Sequence, residues 1–213
     1  MIDSYKDLTI RKFNELNDLR FVDGDDDDLY IKMVAILDDK TEDEVLNMPL
    51  DEFASKRHKL NFLAKKPSTI SILPKKLTIN NKRYRLEKDA FHLSAGQYID
   101  YKMYIKDTDA FYDNLSKILT VFIIPEDAKY GEGYDTAELA AELEDSISIE
   151  LAISISNFFF RLFQGYISRI LRSLESTMRK ATRKHRTTEA EEAMAAMALL
   201  RRSVNDGFGS IGL

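Results

Sequence analysis

A chain of 213 residues is long enough for one large domain or two small ones, and 44% hydrophobic with 31% charged residues is the profile of an ordinary globular protein. The absence of cysteine excludes disulfides, thiolate metal sites and thiol nucleophiles, and fits assembly in a reducing compartment. A net charge of −5 argues against nucleic-acid binding by the chain as a whole, though not by a local patch.

Only four prolines and eight glycines interrupt the chain, so long stretches are free to be helical. The first residues, Met1-Ile2-Asp3-Ser4-Tyr5-Lys6-Asp7, do not read as a signal peptide, because no apolar core follows a basic start. Thr9 can cap a helix carrying Phe13, Leu16 and Leu19. After the acidic run at residues 23–28 comes an apolar helix with Tyr30, Met33, Val34 and Leu37, and carboxylates at its start suit the positive end of the helix dipole. Thr41-Glu42-Asp43-Glu44 has the spacing of a capping box and opens a short helix through Val45 and Leu46. Pro49 interrupts it, and Asp51-Glu52 starts a helix with Phe53, Leu60 and Leu63.

Residues 69–73 (Thr-Ile-Ser-Ile-Leu) favour β structure and Pro74 ends them. Leu77 and Ile79 alternate before Asn80-Asn81-Lys82, and Tyr84 and Leu86 alternate after it, which predicts a β-hairpin. A second unit then opens at Leu93-Ser94. A shift of 85 places Leu8-Thr9 on Leu93-Ser94, Phe13 on Tyr98, Lys32 on Lys117, Met33 on Ile118 and Ile36-Leu37 on Val121-Phe122. A glycine-containing insertion at residues 125–134 follows. Asp135-Thr136-Ala137-Glu138 then repeats the cap spacing, and Glu52-Phe53-Ala54 aligns with Glu150-Leu151-Ala152. Duplication of one helical unit accounts for this order of caps and helices, and such repeats usually serve scaffolding or binding.

Residues 146–157 can be read in two ways. Ile147, Ile149, Leu151, Ile153 and Ile155 alternate as in a strand, whereas Leu151, Ile155, Phe158 and Leu162 keep helical spacing and no turn interrupts the run. Helix is the expectation. Glu150, Arg161, Gln164 and Arg169 interrupt the apolar stretch at residues 147–171. Each charge near a bilayer centre costs about 2.5–3.5 kcal/mol, so a buried core helix is expected and no membrane contact.

Beyond Gly165 an amphipathic helix continues through Ile167, Ile170, Leu171 and Leu174 and becomes basic. Residues 169–186 carry seven Lys or Arg against one acid, Glu175. Thr188 with Glu189, Glu191 and Glu192 starts a last helix whose stripe is Met194, Met197, Leu200 and Val204. Residues 207–213 read as a flexible tail. The candidate partner-binding residues are therefore Arg179, Lys180, Arg183, Lys184 and Arg186 with Met194, Met197, Leu200 and Val204. The basic residues can pair with the glutamates of the last helix, or contact an acidic partner or nucleic-acid phosphates, without the interleaved aromatics that single-strand stacking uses. The Ala-Met stripe can fit a partner's groove or fold back as a core helix.

No catalytic, metal or cofactor residues are assigned. In the run at residues 23–28, Gly24 comes too early for a calcium loop and no glutamate stands at position twelve, so a helix cap is expected. His58, His92 and His185 are scattered. Gly131-Glu132-Gly133 is a lone Gly-x-Gly in a loop, and no Walker loop or nucleophile elbow occurs. The sequence predicts a mostly α fold of two diverged helical units, residues 1–65 and 92–165. A small β-hairpin at residues 66–91 joins them, and a helical extension follows at residues 166–213.

Residues 30–37, then Asp38-Asp39-Lys40-Thr41-Glu42-Asp43-Glu44-Val45, then Met48-Pro49-Leu50-Asp51-Glu52-Phe53 form a pattern that resembles tail-assembly chaperones of tailed bacteriophages. With the hairpin and the second opening, Leu93-Ser94-Ala95-Gly96-Gln97-Tyr98-Ile99-Asp100, the chain is also similar to virion structural proteins of phages infecting gut Bacteroidetes. The resemblance covers residues 8–163. It implies a non-catalytic morphogenesis or virion protein, without cofactors, whose partners are a tail tube, tape measure or connector ring, with self-association a further option. The expected locations are the host cytoplasm during assembly and the virion. A nucleic-acid-associated protein working through residues 169–186 and an enzyme with an unrecognised carboxylate site are the competing readings.

Overall fold

A computed structural model describes residues 1–22, 25–89, 93–106, 110–183 and 187–208; the side chains of residues 181, 183, 187, 189, 190, 200 and 202–208 lie outside the description. The fold is mostly helical, with one small antiparallel sheet and a long C-terminal helical segment. Caps start the helices where the sequence places them. Thr9 Oγ accepts from the Lys12 amide at the head of α1 (Ile10–Asp18). Asp25 does the same for the Asp28 amide at α2 (Asp26–Asp38), so the described part of the acidic run acts as a cap and first turn. Asp23, Gly24, His92 and His185 lie outside the described residues.

Thr41 and Glu44 form both bonds of the expected capping box on α3 (Glu42–Leu46). Pro49 then sits at the N-cap of α4 (Leu50–Lys59), where its missing N–H is no loss, and a 3₁₀ turn, Leu60–Ala64, ends the unit. In the second unit Ser94 and Gln97 make another capping box on α5 (Ala95–Tyr104), and buried Gln97 also donates to the Val121 carbonyl at 2.7 Å. α6 (Leu115–Thr120), α7 (Thr136–Ser146) and α8 (Ile149–Arg183) follow, and α9 (Thr187–Phe208) ends the described chain. In each unit the second helix packs against the other three: α2 against α1, α3 and α4, and α6 against α5, α7 and α8.

The expected hairpin forms with β1 (Lys76–Ile79) and β2 (Lys82–Leu86), and its register sets Leu77 opposite Tyr84. Asn80 and Asn81 both take positive φ, 48° and 62°, as a two-residue hairpin turn of matching twist requires. The sheet departs from expectation in having a third strand. β3 (Ile123–Pro125) pairs antiparallel with β2, Tyr84 opposite Pro125 and Leu86 opposite Ile123. The apolar run at residues 118–124 has no period that distinguishes helix from strand, and its β-branched end supplies a sheet edge. The hairpin is thus bonded to the second unit rather than strung between units. Conversely, the β-favouring residues 69–73 form no strand. They lie against α8, where the Ile70 amide donates to Ser154 Oγ at 2.8 Å.

The two units share one core. α1 packs on α7 and α8, and a short bridge ties their starts: the Ile10 amide donates to the Ile147 carbonyl and the Ile149 amide to the Leu8 carbonyl. The core runs continuously from Leu8 to Ile167, with Leu115, Ile118, Phe122, Leu143, Ile155 and Phe159 at its centre. Residues 149–156 are helical, as helical spacing suggested, and buried on nearly every side, which explains why both periods could be found there. α8 runs unbroken through Gly165, so the compositional boundary between residues 165 and 166 falls inside a helix. No helix among the described residues is long and apolar enough to cross a membrane.

Candidate functional site

α8 spans 35 residues, about 52 Å at 1.5 Å per residue, and the body needs only its first half. Core contact ends at Ile167, with half-buried Leu171 as the last side chain packed against it. Beyond, α9 folds back along α8 to make a helical hairpin. Where the two helices pack, Ile170, Leu174 and Met178 of α8 and Ala196 of α9 are partly buried, and Ala193 and Met197 of α9 are buried. Alanines let two helix backbones approach closely, which is why the seam is built around them.

Of the nine residues singled out in sequence, Arg179 and Lys180 are exposed on α8. Arg183 belongs to α8, and Leu200 and Val204 to α9, but their side chains are outside the description; Lys184 and Arg186 lie outside the described residues. The Met stripe divides. Met197 is 8% exposed and turned into the seam, whereas Met194 is 49% exposed. The stripe's true phase is set by Ala193, 5% exposed, four residues before Met197. Ranking side chains by hydrophobic bulk selects the methionines and overlooks the alanine that does the close packing. Met197 is occupied within the chain, leaving Met194 and Leu199, 70% exposed, as apolar groups of α9 open to a partner. Across the hairpin Arg201 of α9 pairs with Glu175 of α8 at 3.5 Å.

Sequence reasoning missed two other surfaces. On α5, Ile99 and Met103 stand one turn apart and are 63% and 57% exposed, on the side away from buried Tyr101. Their spacing was legible, but only the buried partners of Tyr101 show which face of the helix is free. The other is a cleft of about 840 Å³ between β2, the loop at residues 125–135 and α7. Gly131 and Gly133 take φ of 74° and 81° there, a conformation open to glycine, so the Gly-x-Gly shapes a turn. Carboxylates of Glu126, Asp127, Glu132, Asp135, Glu138 and Glu142 outnumber the bases Lys82, Arg83 and Lys129 around it.

Three of those carboxylates are engaged, Asp135 as the N-cap of α7, where it accepts the Ala137 and Glu138 amides. Glu142 accepts from the Tyr84 hydroxyl at 2.7 Å, from Asn80 at 3.2 Å and from Lys82 at 3.3 Å. Burial pulls its pKa up, but these donors outweigh burial and hold it below the usual carboxylate range. Glu126 is held low by Lys76. Burial, and then the Glu142 carboxylate, push the Tyr84 hydroxyl up, and burial also raises Tyr134. These four groups keep one charge state across the neutral range, so none of them is poised to exchange a proton there. Among the described residues no group of three or more His, Cys, Asp or Glu could hold a metal ion.

No family model matches the chain, and no curated protein or solved structure does either. The site has to be read from its own residues.

Proposed function

We propose that the chain is a non-catalytic protein that works by binding other proteins, as a morphogenesis or virion component of a tailed phage. The carrying observation is the α8–α9 hairpin. It extends from a complete core, is stapled by its own Ala-Met seam and offers the remaining faces of both helices to solvent. A structure of this kind adds little to the fold of the body and is suited to gripping a neighbour. The resemblance of residues 8–163 to tail-assembly chaperones and virion proteins supplies the phage context and the partner classes: tail tube, tape measure or connector subunits. Apolar groups such as Met194 and Leu199 would gain about 25 cal/mol per Å² removed from water in such a contact.

The test is co-expression with the structural proteins encoded beside its gene, followed by size-exclusion chromatography. Co-elution with one of them is expected, and the double variant Met194→Asp/Leu199→Asp should lose it while melting at the wild-type temperature. Separate elution from every such protein would overturn the reading.

A further inference from the structure

Charge is divided unevenly along the chain. Residues 1–160 hold 21 Lys or Arg against 31 Asp or Glu, whereas residues 161–213 hold ten against five. A body of net −10 therefore carries an arm of net +5. On α8 the cations of the arm fall on one face. Arg161, Arg169, Arg172 and Arg179 follow one another at intervals of eight, three and seven residues, and at about 100° per residue these lie within roughly a quarter turn. Lys180 stands beside them, and all five side chains are exposed. The stripe extends about 27 Å along the axis. Ile167, Ile170, Leu174 and Met178 occupy the opposite face, toward α9.

Among the described residues Arg161, Arg169, Arg172, Arg179 and Lys180 have no carboxylate at ion-pair distance; Arg172 bonds only the Ser168 carbonyl of its own helix. Like charges three to four residues apart on a helix repel, so Arg169 and Arg172 gain when an anionic surface covers them.

We propose that the outward face of α8 docks on the acidic body of a second copy of this chain. The receiving surface is the rim of the cleft beside α7, where exposed Asp127, Glu132 and Glu138 have no basic partner among the described residues. One molecule carries both charges in surplus, and in it both surfaces face solvent, so the contact is made between copies. A polyanion such as duplex DNA fits less well, because on reaching the arm it would also meet the net −10 body. Stripe and cleft are different surfaces, so the contact is heterologous and repeats head to tail. It does not depend on which other protein the chain binds.

Sedimentation velocity on the full chain tests this. At low salt the wild type should grow beyond its 24.6 kDa monomer with concentration, and association should weaken roughly tenfold or more between about 0.05 and 0.5 M NaCl as charges are screened. Arg169→Glu/Arg172→Glu/Arg179→Glu and, separately, Asp127→Lys/Glu132→Lys should each remain monomeric with wild-type circular dichroism. Mixed in equal amounts, the two variants restore both charge pairings and should assemble. A monomeric wild type at every salt, a folded pair that fails to assemble on mixing, or an arginine variant that loses only binding to a short DNA duplex would overturn the proposal.

Discussion

Glu142 ties the hairpin to α7 through three donors from one turn and one strand, Asn80, Lys82 and Tyr84. A hydrogen bond to a charged group is worth about 1.5–3 kcal/mol, so Tyr84→Phe should destabilise the fold by about 2 kcal/mol in urea unfolding. The same bonds depress the Glu142 pKa on folding. Its contribution is therefore fully present above the unfolded carboxylate value, about 4.3, and is lost as pH falls through the lower folded value. Stability should decline with acid in that window, and Glu142→Gln should make the slope shallower; an unchanged slope would place the sensitivity elsewhere. Gly165 is the opposite case. It is an exposed glycine within α8, and a Cβ there would meet nothing within 4 Å. Gly165→Ala should therefore stabilise the protein by about 1 kcal/mol, read as a higher melting temperature.

Among the elements, the caps carry most of the information that the sequence gives away. Thr9, Thr41, Ser94 and Asp135 each accept an amide bond from the first turn of their helix, in the order the repeat implies. Ser94→Ala should cost about 1 kcal/mol, measured by thermal melting, because one amide of α5 loses its acceptor. Caps are local chemistry, three residues reaching one another, which is why they are readable without a fold. Strand β3 and the inertness of residues 69–73 were not readable in this way. Ile123, Ile124 and Pro125 become a strand because β2 lies beside them, whereas Ile70 does not because its amide donates to Ser154 of α8, and Ile72 is left exposed. Pairing partners distant in sequence decide the outcome, and single-strand propensity contains no trace of them.

At the scale of the whole molecule the two helical units behave as one body. Phe122 and Phe159 stack with rings 7° from parallel, and Tyr101 and Phe163 stack beside them, all on helices or turns of the second unit. α1 of the first unit closes over α7 and α8, with Phe13 against Tyr112 at 5.0 Å. Truncating fully buried Phe159 to Ala should cost about 3–5 kcal/mol. Because the core is shared, circular dichroism and tyrosine fluorescence should report one coincident urea transition in wild type and variant alike; two separated transitions would mean the halves are independent.

The sequence by itself determined which stretches are helical, where most helices start, the two-residue asparagine turn and the basic character of the arm, since each depends on neighbours within a turn or two. Tertiary structure alone decided the third strand and the burial of Met197 against the exposure of Met194. Those outcomes depend on which face of an element meets another, a choice made by surfaces far apart in the chain that come together only on folding.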